Sequence, residues 1–67
     1  MKGVTIGERI RLKREQKNLS QEELAELVGV SQMMISYYER DFKPLSFDMA
    51  IRISRELETT LDYLAGN

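Results

Sequence analysis

Apolar residues recur along the chain at three- and four-residue spacing between short polar breaks, and this periodicity predicts a series of helices. From Thr5 to Lys17 the apolar positions Ile6, Ile10 and Leu12 lie among charged groups, with Thr5 as a cap and Glu8 three residues later completing a capping box. Asn18 tolerates the left-handed conformation of a C-terminal cap and ends this first helix. Ser20 and Glu23 form a second box, with Leu19 set to staple against Leu24. Leu24, Ala25, Leu27 and Val28 supply the buried face of a second helix that Gly29 closes.

Only Gly29 and Val30 intervene before Ser31 caps a third helix, expected from about Gln32 to Glu39. Two helices joined by a turn of three or four residues containing glycine are a helix-turn-helix by spacing. Ala25 allows their close approach, and Val30 and Ile35 are placed to bury between them. Arg40 to Leu45 reads as a turn region. Ser46 then caps a fourth helix carrying Phe47, Met49, Ala50, Ile51, Ile53 and Leu57, and Thr59 or Thr60 caps a last short one with Leu61, Tyr63 and Leu64. The expected architecture is all-α, five helices around one core, in a single domain over residues 1–67 without repeat or linker.

Composition narrows the chemistry. The 67 residues include no cysteine and no histidine, which removes thiolate nucleophiles, the usual base near neutral pH and the commonest metal ligands. Glu22, Glu23 and Glu26 gather on the second helix, but nothing encloses a pocket around them, so they read as capping and solubilising groups. No enzyme, cofactor or metal site is expected. No apolar run approaches the roughly 20 residues that cross a bilayer, and the start of the chain lacks the apolar stretch of a secretory signal. No membrane contact is expected, and the cytoplasm is the default compartment.

Net charge is -1, yet the charges are uneven. Between Arg9 and Lys17 stand Arg9, Arg11, Lys13, Arg14 and Lys17 against Glu15 alone. Such a cluster is either a solvated helix surface or a phosphate-binding face, and what decides is the field on the contacting side, not the overall charge.

The segments Ile6-Gly7-Glu8-Arg9-Ile10-Arg11, Leu19-Ser20-Gln21-Glu22-Glu23-Leu24-Ala25, Gly29-Val30-Ser31-Gln32, Tyr38-Glu39-Arg40 and Leu61-Asp62-Tyr63-Leu64 follow one another in fixed order and cover nearly the whole chain. Together they resemble the phage repressor and Cro type of helix-turn-helix, the xenobiotic-response-element family of DNA-binding regulators. The resemblance implies a compact lambda-repressor-like domain of five helices. It also implies a homodimer that binds double-stranded DNA at inverted-repeat operator sites and regulates transcription, as a repressor more often than as an activator. RNA is disfavoured, since no stacking sheet or dedicated module for it is evident.

General helix-turn-helix geometry puts the early residues of the second helix of the pair against base edges in the major groove. Gln32, Met33, Ser36 and Tyr37 are the candidates: Gln32 suits adenine N6 and N7, Met33 or Tyr37 a thymine methyl, and Ser36 several edges. The resemblance further implies a phosphate held at Gln21 and a pairing of Arg14 with Glu39 that brings Arg14 to the DNA backbone and fixes the angle of the third helix. Such a pair is expected at the surface. Arg40 and Lys43 are candidates for flanking phosphates, and the caps Ser20 and Ser31 for structural support. Leu61, Tyr63 and Leu64 are candidates for a subunit contact.

Two departures from the family pattern stand out. Asp41 occupies the place of a usual glycine, which puts a negative charge near the expected phosphate track. Met33, Met34 and Tyr37 make the third helix unusually apolar, and this leaves an alternative function: a module of the same fold that captures a regulatory protein through its methionine and tyrosine face.

Overall fold

The structure, a computed structural model, describes residues 4–66. Residues 1–3 and 67, which the expected domain span and the reading of the chain's start included, lie outside the described residues. Five helices follow in order: α1 (Ile6–Gln16), α2 (Gln21–Val28), α3 (Gln32–Glu39), α4 (Phe47–Glu56) and α5 (Leu61–Ala65). Each begins at a hydroxyl expected to cap it. Thr5, Ser20, Ser31, Ser46 and Thr60 each accept a bond from the amide three residues on, and the Thr5–Glu8 and Ser20–Glu23 boxes both close.

The ends are set by residues with positive φ. Gly29 closes α2 at φ 79°, and Asn18 lies at φ 59°, Asp41 at φ 61° and Glu58 at φ 54°. After α1, α3 and α4 the amide bonds run from the second residue past the cap back five positions: Leu19 to the Arg14 carbonyl, Phe42 to Tyr37 and Thr59 to Ser54. This is a Schellman closure, made three times without glycine at the left-handed position.

The core is one cluster of Ile10, Leu24, Ala25, Val28, Ile35, Tyr38, Ile53, Leu57 and Leu64, with Leu19, Val30, Met34, Leu45, Met49 and Tyr63 packed against it. Several apolar residues fall outside it. Leu27, placed by spacing on the buried face of α2, is 50% exposed, and Phe47 at the start of α4 is 71% exposed; Ile6 and Leu12 are also exposed. On α1 the inward position goes instead to Arg14, which is buried.

Gly7 sets how closely α1 meets α3. A Cβ there would stand 2.4 Å from the Tyr38 carbonyl oxygen and 2.5 Å from that of Glu39. Only glycine lets the first turn of α1 lie against the last turn of α3. Asp41 completes that junction, its Oδ1 accepting from the Gly7 amide at 3.0 Å. The carboxylate expected to disturb a phosphate track is thus turned to one of the orphan amides that begin α1.

Candidate nucleic-acid interface

The N-terminal end of α3 is reached from the interior by a chain of directional bonds. Arg14 donates from Nε to Glu39 Oε2 at 2.6 Å and from Nη2 to Oε1 at 3.1 Å, a forked pair, while Nη1 donates to the Leu19 carbonyl at 2.8 Å. Hydrogen bonding to Glu39 raises the Arg14 pKa above its ordinary value, against the opposing effect of burial. The expected Arg14–Glu39 pair therefore exists, but inside the molecule: Arg14 is 9% exposed and Glu39 6%. Three of the five guanidinium N–H donors are committed within the fold, so Arg14 is held in the frame behind the surface.

From that pair the chain runs outward. Gln21 donates from Nε2 to Glu39 Oε1 at 2.9 Å, and Gln32 donates from Nε2 to Gln21 Oε1 at 2.9 Å. This fixes the amide orientation of both glutamines, because each oxygen or nitrogen has a partner of one kind only. Gln32 is exposed and, among the described residues, keeps one N–H and its carbonyl oxygen unengaged. Those are the two groups needed to donate to adenine N7 and accept from adenine N6. Met33 beside it is 61% exposed. Ser36 and Tyr37, one turn on, are half-buried. Ile35 and Tyr38 face the core, as their spacing requires.

The C-terminal end carries Arg40, Phe42 and Lys43, all exposed. The Phe42 ring lies 6.2 Å from that of Tyr37 with 24° between the planes, and the Arg40 guanidinium carbon stands 4.5 Å from the Phe42 centroid and 5.8 Å from that of Tyr37. Arg11, Arg14, Gln21, Ser36 and Arg40, with Glu15 and Glu39, line a shallow depression between α1 and α3. The remaining cations of α1 are divided. Arg11 pairs with Glu15 at 3.2 Å, whereas Arg9 and Lys13 stand 5.1 and 4.7 Å from the Tyr63 centroid.

Of the three residues considered for a subunit contact, Leu64 is sealed in the core at 2% exposure. Tyr63 is half-buried with its ring against the two cations, and Leu61 is half-buried. Leu64 is therefore removed from that set. An apolar depression lined by Ile6, Leu45, Phe47, Ala50, Leu61 and Ala65, with Leu64 at its inner side, lies next to it. The methionine face also shrinks, since Met34 packs against the core.

A helix-turn-helix family profile matches residues 10–64. The chain belongs to the Cro and phage-repressor type of helix-turn-helix family. It is 29% identical over 63 residues to the transcriptional regulator ImmR of Bacillus subtilis, covering 94% of this chain and 50% of that protein. It is 36% identical over 59 residues to the C2 repressor of Salmonella phage P22, covering 88% of this chain and 27% of that one. The chain thus spans half or less of these relatives. The crystal structure of the P22 c2 repressor in complex with a synthetic operator superposes with a TM-score of 0.91 at 33% identity, covering 96% of this chain and 97% of that one. SinR in complex with DNA superposes with a TM-score of 0.84, also at 33% identity, covering 90% and 97%. Both match the helix order and spacing of this family member. Among the described residues, no helix is long and apolar enough to cross a membrane.

Proposed function

We propose that this chain is the DNA-reading domain of a transcriptional regulator that places α3 in the major groove of double-stranded DNA. The observation that carries the reading is the bond chain from buried Glu39 through Gln21 to exposed Gln32. A solvated surface glutamine has no need of an orientation fixed from the core, whereas a base-reading one gains from it, because an amide held in one pose loses less freedom on binding. The resemblance to a repressor and a regulator solved on DNA supports the same reading. Repression through an inverted-repeat operator is the form proposed for this function, supported by the likeness to a repressor solved on an operator.

Gln32 and Met33 are the leading base readers, with Ser36 and Tyr37 one turn behind. Gln21, Arg40 and Lys43 serve phosphates, and the α2 N-terminus adds its free amides. Two copies are needed to read two half-sites. The exposed apolar residues Phe47 and Ile6, with half-buried Leu61, supply the surface for that contact. Protein capture through the methionine face is not favoured, because Met34 is not available to it.

The test is selection from a random duplex library, followed by titration of the selected duplex against salt. An inverted repeat with half-sites about 34 to 36 Å apart is expected, with a log-log salt slope near 0.9 for each phosphate neutralised. No enriched site from folded protein, or salt-independent binding, would overturn the reading.

A further inference from the structure

We infer that Phe42 is a positioning residue for base reading by Tyr37, with Arg40 as the clasp; the inference rests on the DNA-reading function proposed above. Phe42 is 66% exposed, so core packing does not account for an aromatic ring there. What the ring touches does. The Schellman closure at the end of α3 brings the Phe42 amide to the Tyr37 carbonyl at 2.8 Å. That geometry sets the side chain two residues past the cap over the third residue before it. Here those two side chains are Phe42 and Tyr37, and their rings stack.

Arg40 closes over both rings. A guanidinium stacks through its face, which keeps its in-plane N–H groups for hydrogen bonds; here Nε donates to the Ser36 carbonyl at 3.5 Å, and the Nη groups are left for a phosphate. One cluster therefore joins a phosphate-binding edge to the ring at position 37, five residues along α3 from Gln32. A half-exposed tyrosine on a helix ordinarily samples several rotamers, and holding it in one before binding raises the cost of a mismatched base relative to the right one. The left-handed Asp41 is part of the device, because the closure requires that conformation between Arg40 and Phe42.

The experiment compares binding of the selected duplex and its single-base variants to wild type, Tyr37→Ala, Phe42→Leu, Phe42→Trp and the Tyr37→Ala/Phe42→Leu double variant. Phe42→Leu keeps an apolar group at the closure, and thermal melting checks that it folds. Tyr37→Ala should lose discrimination at one base pair. Phe42→Leu should lose about threefold to tenfold in discrimination at that same pair, with the salt slope unchanged, and Phe42→Trp should retain it. In the Tyr37→Ala background Phe42→Leu should change nothing further. Equal weakening on every duplex, or losses that add in the double variant, would overturn the inference, as would Tyr37→Ala leaving every pair's discrimination intact. If wild type itself discriminates no duplex, the DNA-reading function fails and this inference with it, an outcome distinct from the others.

Discussion

Two arrangements locate α3: a chain of directional bonds that runs from the buried Arg14–Glu39 pair, at the last residue of the helix, through Gln21 to Gln32 at its first, and a close backbone contact with a stack of rings, both confined to its C-terminal end. The first arrangement fixes orientation: Gln32 points as Gln21 dictates, and Gln21 as Glu39 dictates. The second fixes distance: Gly7 lets α1 approach, Asp41 holds the junction, and Phe42 lies on Tyr37. Directional bonds suit groups that must present a donor and an acceptor to one base edge, and non-directional packing suits a ring that offers a surface. The two arrangements should therefore break differently.

The largest effect belongs to the bond chain. Glu39→Ala leaves the Arg14 guanidinium buried without its partner, and a loss of about 3–5 kcal/mol in unfolding free energy is expected from urea titration. Replacing Arg14 and Glu39 together by Met and Leu should recover most of that stability while discrimination by Gln32 stays lost. A double variant that still reads the site would show that the pair matters only to stability.

Next comes the close contact with Gly7. Gly7→Ala drives a methyl group into backbone carbonyls that have no rotamer to yield, and a cost of about 1–3 kcal/mol follows. Because α1 then moves against the end of α3, discrimination at the Tyr37 position should fall more than at the Gln32 position. Equal losses at both would mean that the two ends are not separately held.

Asp41 gives a smaller and more informative comparison. Asp41→Ala loses the bond to the Gly7 amide and keeps the left-handed strain, with an expected cost of about 0.5–2 kcal/mol. Asp41→Gly loses the bond and relieves the strain, so it should be the milder variant by thermal melting. If glycine proves as costly as alanine, the carboxylate bond alone explains the residue.

Glu58 is the control, a left-handed carboxylate far from α3 that pairs with Lys17 at the surface. The hydrogen bond from Lys17 holds its carboxyl below the ordinary glutamate value. The pair's small contribution is therefore present above the ordinary glutamate range and is lost as pH falls through the lowered value. Glu58→Gly should raise Tm slightly at neutral pH, since relief of backbone strain outweighs an exposed pair. Its difference from wild type should grow as the pH drops through that range, with discrimination between duplexes unaffected.

The boundaries of the helices were legible because each is written locally. Thr5, Ser20, Ser31 and Ser46 cap their own next turns, and the choice left open between Thr59 and Thr60 falls to Thr60. Which side of a helix meets a neighbour is a long-range matter. Leu12 and Leu27 fit the spacing of a buried stripe and still face outward, while Arg14 goes in because Glu39 and the Leu19 carbonyl await it. The proposal of Gln32 as a base reader rests on its place at the start of α3. Its dependence on Gln21 was not legible, since the two are eleven residues apart and meet only when α2 and α3 pack. Asp41 and Gly7, 34 residues apart, were the least legible: a charge in a turn and a glycine in a helix gain their meaning only from each other.

The most direct test of the account is a double-variant cycle between Gln21 and Gln32, read as discrimination among single-base variants of the selected duplex. If α3 reads DNA through an amide set from the core, Gln21→Ala and Gln32→Ala each lose discrimination at the same base pair, and the double variant is no worse there than Gln32→Ala. Losses at different base pairs, or losses that add in full, would show that Gln32 reads without the bond chain behind it and would contradict the account.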